Sequence, residues 1–424
     1  MDTTPREFLI GLFHQAVAAA HPSRVVSRNL PPRPRGRTLV IGAGKAAAAM
    51  AKAVEDNWWG PISGLVVTRY EHGVECRSIE VVEAGHPVPD AAGLEAAQRM
   101  LGLLAGLTED DLVLCLMSGG GSSLLTVPAP GVSLEDKQAV TRALLKSGAP
   151  ISDINCVRKH LSSVKGGRLA LAAAPASVVT LIVSDIPGDD PATVASGPTV
   201  ADPTTRQDAQ AVFAKYSIAV PDSIRDWLED PRSETPKPGH PGLERVSNRI
   251  IATADDALKA AAHAAEAARI RPVVLGGAIQ GEARDVAREH ARIALKCMRR
   301  GDPARPPCVL LSGGETTVTV AGDGRGGRNT EYLLALALEC KRFHGLTALA
   351  CDTDGIDGTE SNAGAVIDSD TLERAIDKGL SAEDALARND AYGFFHALGD
   401  LVTTGPTRTN VNDFRAILLT ESQY

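Results

Sequence analysis

Short apolar runs alternate with alanine-rich stretches of helical period along most of this 424-residue chain, and that rhythm narrows the choice of fold more than any other feature. A run too short for a helix and bounded by glycine, proline or charge reads as a buried strand. A helix between two such runs returns the chain to the same end of a sheet. The rhythm predicts an α/β fold on mainly parallel sheet. Expected strands are Thr38–Ile41, Gly64–Thr68, Ile79–Glu83, Leu112–Met117 and Val178–Val183, then Arg249–Thr253, Pro272–Leu275, Cys308–Leu311, Leu346–Cys351 and Ala416–Leu419. Helices are expected over Ala46–Val54, Ala91–Ala105, Asp256–Ala268 and Ala283–Met298.

Single cores rarely grow past roughly 250–300 residues, so a chain of this length divides into domains. Asp230–Leu243, with four prolines and no hydrophobic period, reads as a linker or crossover. The 44 basic residues against 52 acidic ones leave a net charge of −8, which argues against nucleic-acid binding driven by net charge, and 44% apolar residues exclude a disordered chain. Leu169–Val183 is the longest apolar stretch; Pro175, Ser177 and Thr180 interrupt it and it is too short to span a bilayer, so no membrane partner is expected. Seven cysteines without a C-x-x-C pair read as reduced core residues of a cytoplasmic protein. At the N-terminus Thr4-Pro5-Arg6-Glu7 forms a capping box with Pro at the first helical position, which makes Phe8–Ala20 an ordinary first helix rather than a signal peptide.

Several segments could carry chemistry. Gly42-Ala43-Gly44-Lys45 leaves an expected strand and enters a helix, where unpaired N–H groups and the dipole favour an anion; Gly42 would permit the turn and Gly44 the approach of a ligand. The same G-x-G-x-x-A spacing meets the loose dinucleotide fingerprint, with Arg69 and Glu71 near the end of the next strand, and keeps a reductase open. Ser118-Gly119-Gly120-Gly121-Ser122 could turn successive N–H groups on a phosphate, although it lacks the Gly-Lys-Ser/Thr ending of a P-loop. Leu311-Ser312-Gly313-Gly314-Glu315 echoes it as a second strand running into Ser-Gly-Gly. Asn155, Arg158, Lys159, Ser162 and Lys165 recur at steps of three and four and would form one basic face of a helix running to Arg168. Two acidic loops, Asp185–Asp190 and Asp352–Gly358, suit a magnesium shared with phosphate oxygens or a base that takes a hydroxyl proton. Arg328 opens a further expected helix and could fork onto a phosphate or carboxylate.

Together these segments resemble the glycerate 2-kinase family, whose C-terminal part is the MOFRL domain. The resemblance rests on Gly42–Ala46, Ala84–Asp90, Ser118–Ser123, Asn155–Leu169, Ser184–Asp189, Ala195–Thr199, Leu311–Thr316, Gly326–Asn329, Thr353–Gly358 and Thr404–Asp413, in order over nearly the whole chain. It implies a larger Rossmann-like domain over residues 1–240 and a C-terminal α/β region over 241–424 containing MOFRL at about 306–415, with the active site in the cleft between them. It also implies ATP- and Mg²⁺-dependent phosphorylation of D-glycerate at its 2-hydroxyl. Lys45, Arg328 and Asp189 would be catalytic; Gly42, Gly44, Ser118, Gly119, Gly120, Gly121, Ser122, Lys159, Gly313, Gly314 and Glu315 would hold the nucleotide, and Asp185 and Asp354 the metal. Members are often labelled hydroxypyruvate reductases of tartrate metabolism, so an NAD(P)H-dependent reductase remains the second reading and a non-catalytic metabolite sensor the third. A homodimer is a candidate assembly. Arg408 departs from the family pattern, where glycine is expected.

Overall fold

The apolar runs expected as strands do form strands, and two sheets collect them. A computed structural model describes residues 4–341 and 343–421. The chain divides into two compact units, one comprising Pro22–Ser184 and Asp189–Ile251, the other Met1–His21, Asp185–Gly188 and Ala252–Tyr424. They are called the first and second unit below.

In the first unit the strands are β1 (Thr38–Ala43), β2 (Ser63–Arg69), β3 (Ile79–Ala84), β4 (Leu112–Ser118), β5 (Ser177–Val183) and β6 (Val246–Ala252), in the order β3-β2-β1-β4-β5-β6. β1 pairs in parallel with both β2 and β4, and β2–β3 and β4–β5 are parallel as well. Every residue of β1 and β4 is buried, the result expected for central parallel strands covered on both faces and the reason their sequences are unbroken apolar runs. Strand order reverses between β1 and β4, so the loops that follow them part and leave a crevice at their carboxyl ends.

The second unit holds β7 (Arg271–Glu282), β8 (Cys308–Thr317), β9 (Leu346–Asp352), β10 (Gly364–Ile367), β11 (Leu401–Val402) and β12 (Asp413–Leu419), in the order β11-β10-β9-β12-β8-β7. β7 and β8 are parallel, whereas β12 runs antiparallel to both β8 and β9. β10 and β11 escaped the sequence reading because they are too short to show a period. The first helix, Pro5–Ala20, carries the expected capping box, with the Glu7 N–H on Thr4 Oγ1 at 3.2 Å and the Thr4 N–H on Glu7 Oε2 at 2.9 Å. Its buried face packs on the helix Ala254–Ala267, β9 and β12, with the Phe13 and Phe414 ring centroids 5.9 Å apart. The helix therefore folds with the C-terminal strands, whereas the resemblance grouped it with residues up to 240.

Two further expectations change. The helix expected from Asn155 to Arg168 ends early: it spans Ile151–His160, and Gly166 and Gly167, at φ 59° and 84°, turn the chain into a separate helix, Arg168–Ala173. The basic residues are thus not one helical face. β8 does not stop at Leu311 but continues through Ser312-Gly313-Gly314-Glu315, because β12 pairs with it in register, Phe414 opposite Gly313 and Asp413 opposite Gly314. The echo of Ser118-Gly-Gly is a resemblance of sequence only. All seven cysteines are free, six of them buried, and among the described residues no helix is long and apolar enough to cross a membrane.

Candidate active site

At the crevice of the first unit the loops after β1 and β4 are laced together. The Lys45 N–H donates to Gly119 O at 2.8 Å and the Ala46 N–H to Ser118 Oγ at 3.0 Å, while Thr68 Oγ1 donates to Lys45 O at 3.4 Å. The glycines of the β1 turn owe their place to this contact. A Cβ on Gly42 would stand 2.2 Å from Leu116 O, and one on Gly44, at φ 138°, 2.2 Å from Ser118 Oγ. Both face β4, which corrects the expectation that they open the turn to a cofactor. Leading into the helix Ala47–Asn57, the N–H groups of Lys45, Ala46 and Ala47 go to Gly119 O, Ser118 Oγ and Gly44 O.

Within Ser118–Ser122, Gly121 packs on Ala195, and Gly120 adopts the left-handed backbone at φ 81°. A Cβ on Gly120 would lie 3.0 Å from the His86 ring and 3.4 Å from Lys45 Cγ, so these three residues converge. Ser122 Oγ stands 2.9 Å from Ser196 Oγ, which donates to Asn155 Oδ1 at 3.1 Å. Lys159, expected on the nucleotide, pairs with Asp202 at 3.3 Å, with both side chains buried. A cavity of about 340 Å³ opens beside Gly120 and Ser122, walled by Lys137, Arg158, Lys165 and His86. Lys137 was missed, although the signal existed: Lys137, Val140 and Leu144 fall at helical spacing on the buried face of Leu134–Lys146.

In the second unit Arg328 begins the helix Arg328–Glu339 and forks over three strand ends. Its Nε donates to Asp413 Oδ1 at 2.7 Å, Nη1 to Glu315 Oε1 at 2.8 Å and Nη2 to Asp352 Oδ2 at 2.9 Å. Burial alone would pull its pKa down, but the carboxylates of Asp413, Asp352 and Glu315 hold it well above the ordinary value. Gly327 has no side chain to cap this helix, and Asp357 does so from a distance: its oxygens accept the N–H of Asn329 and of Thr330, each at 2.9 Å. Burial raises the Asp357 pKa against those hydrogen bonds. Gly327 is glycine because a Cβ there would meet Asp357 Oδ1 at 2.3 Å. Arg415 adds a bond to Asp413, and Asn329 Nδ2 another at 2.8 Å. Of the two partners expected for the Arg328 fork, carboxylate or phosphate, the structure shows carboxylates.

The remaining expected positions are distributed as follows. Gly313 and Gly314 lie within β8, where a Cβ on Gly314, at φ 112°, would collide with Ile279 of the bulged β7; they make room for a neighbouring strand, not a phosphate loop. Glu315 is held by Arg328. Asp185 accepts from Asn410 Nδ2 at 2.9 Å, and Asp354 accepts the Ile356 N–H at 2.9 Å. Asp189 sits at φ 53°, an uncommon backbone for a residue with a Cβ. Among the described residues no three His, Cys, Asp or Glu side chains gather into a metal-ligand set. Arg408 has φ 61°, the left-handed region in which the expected glycine would be unstrained.

A parallel sheet whose strand order reverses beside a lysine-bearing turn, joined in one chain to a mixed-sheet unit with an arginine–carboxylate cluster, defines a class of two-part α/β proteins. Residues 8–229 match the Domain of unknown function (DUF4147), and residues 308–413 the MOFRL family. The chain belongs to the glycerate 2-kinase family. It is 38% identical to the "Glycerate 2-kinase" of Pyrococcus horikoshii over 99% of this chain and 98% of that one. It is 53% identical, over 99% of its length and 95% of the relative's, to an Agrobacterium vitis protein named "Putative hydroxypyruvate reductase". The crystal structure of glycerate kinase from Thermotoga maritima superposes with a TM-score of 0.90 at 38% identity, covering 98% of this chain and 99% of that one.

Proposed function

We propose that this chain is a kinase that transfers the γ-phosphoryl group of ATP to the 2-hydroxyl of D-glycerate, with Mg²⁺ arriving on the nucleotide. The observation that carries the reading is the convergence of Lys45, His86 and Gly120 at the reversal of strand order, where open α/β sheets bind their ligands. Family membership agrees with it. In the reaction the substrate oxygen attacks the γ-phosphorus, the bond to the departing ADP oxygen breaks, and the hydroxyl proton passes to a base. Most of what such a step asks of a protein is positioning and fixed positive charge.

Lys45 would supply charge to the transferred group, and Asp189 would accept the proton. Arg328 would take part through Nη1, whose partner Glu315 is 46% exposed and exchangeable, whereas Asp352 and Asp413 at 6% and 0% are fixed. Magnesium commonly needs one or two protein carboxylates beside phosphate oxygens, and Asp185 and Asp354 are the ones proposed to hold it. The metal would offset charge on the phosphates. The reducing cytoplasm is the proposed location, a setting that seven unbonded thiols suit, and a homodimer stays within the proposal, to be read by light scattering.

Purified protein supplied with D-glycerate, ATP and Mg²⁺ should form ADP and 2-phosphoglycerate. Oxidation of NADPH by hydroxypyruvate without ADP formation would replace the kinase with a reductase, and binding without either turnover would leave a sensor.

A further inference from the structure

Three cations of the first unit, Lys137, Arg158 and Lys165, share one cavity with the exposed Arg142, and no ion pair joins any of them to a carboxylate among the described residues. Lys137, on the helix Leu134–Lys146, is only 6% exposed, and its Nζ is buried with no hydrogen-bond partner. Lys165 is 1% exposed and donates to the carbonyls of Leu125 at 2.9 Å and Ala195 at 3.4 Å, neither of which carries a charge. Arg158 comes from the helix Ile151–His160. All three line the cavity of about 340 Å³ together with Ser122, Ser123 and Gln138, and no Asp or Glu lines it. Its other walls include Val88, Leu134 and Leu145.

Burying like charges together without a counter-ion is strongly unfavourable, and both lysines are shifted accordingly. Burial first, then the Arg158 charge, brings the Lys137 ammonium down to about 7. Burial, then Lys137 and Arg158, holds Lys165 well below its ordinary value. A bound oxyanion removes the repulsion and satisfies the orphaned Nζ in one step.

We propose that this cavity binds the carboxylate of the hydroxy-acid acceptor, gripped by Lys137, Arg158 and Lys165 with Ser122 as a hydroxyl donor. The assignment to the acceptor rests on the kinase reading above. A nucleotide phosphate offers the same chemistry, but a nucleotide bound with Mg²⁺ brings its own cation and calls for carboxylates, which the cavity lacks. The carboxylate of D-glycerate comes without a metal, and its phosphorylated product adds a second anion for the remaining cations.

The test uses the full chain and two variants, Lys137→Met and Arg158→Gln. Either should raise KM for D-glycerate at least about tenfold while KM for ATP stays within about twofold, and Lys137→Met should melt no lower than the wild type because it removes an unpaired buried charge. A rise in KM for ATP alone would overturn the acceptor assignment in favour of the nucleotide. Calorimetric titration with D-glycerate and with inorganic phosphate, without nucleotide, is independent of turnover. Binding by the wild type that is lost in both variants supports the cavity even if no phosphoryl transfer occurs. Equal binding by all three proteins, or none by the wild type, overturns it.

Discussion

Arg328 Nε lies 2.7 Å from Asp413 Oδ1, and that contact fastens the start of a helix to the first residue of the central strand β12. Because the other two guanidinium nitrogens reach Glu315 on β8 and Asp352 on β9, one side chain pins three adjacent strands. Removing it would leave three carboxylates facing one another, two of them buried. Breaking a buried ion pair from one side is worth about 3–5 kcal/mol, so Arg328→Ala should lose thermal stability by roughly 6–20 °C as well as turnover. Calorimetric melting and initial rates check both. A variant that loses only rate would show that the cluster is catalytic without being structural.

Lys45 is tied through its backbone to the chain segments on both sides of β1. Its N–H on Gly119 O and its carbonyl under Thr68 Oγ1 survive side-chain truncation. Lys45→Ala leaves those backbone bonds in place and should lose turnover by at least about tenfold, or 1.4 kcal/mol of barrier. Near-normal kcat would remove the ammonium from the reaction.

The cavity lysine makes the enzyme sensitive to pH. The charged and titratable groups that wall the cavity around Lys137 are Arg158, Lys165, His86 and Arg142. With Lys137 free at about 7 and raised by a bound anion, glycerate binding takes up a proton above that pH. KM for glycerate at saturating ATP should climb as pH rises from 7 to about 9, and the slope should flatten in Lys137→Met. Stability carries the same signature. The folded pKa lies below the unfolded value of about 10.4, so the unfolded chain binds more protons between the two, and wild-type stability should rise with pH across that window relative to the variant. Parallel pH curves for the two proteins would contradict the assignment.

Asp357 caps a helix whose N-cap residue, Gly327, has no side chain. Asp357→Ala strips the N–H groups of Asn329 and Thr330 of their acceptor and should destabilise the second unit by about 1–2 kcal/mol. Urea unfolding measures the loss, and an unchanged midpoint would mean that water replaces the carboxylate.

Strand positions were legible from the sequence because a strand buried on both faces must be apolar throughout, as β1 and β4 are. The Lys45 turn and the capping box of the first helix were legible too, since both depend on residues a few positions apart. What the sequence could not decide were distances between residues far apart in the chain. Gly44 read as room for a ligand, and β4 stands against it; Arg328 read as a fork for a phosphate or carboxylate, and only the fold brings Glu315, Asp352 and Asp413 to it together. The pairing of the first helix with Phe414, the extension of β8 under β12 and the gathering of Lys137 with Arg158 and Lys165 arise in the same way. Local propensity and hydrophobic period act over one or two turns of chain, whereas neutralisation and close packing are settled only by the neighbours that folding brings alongside.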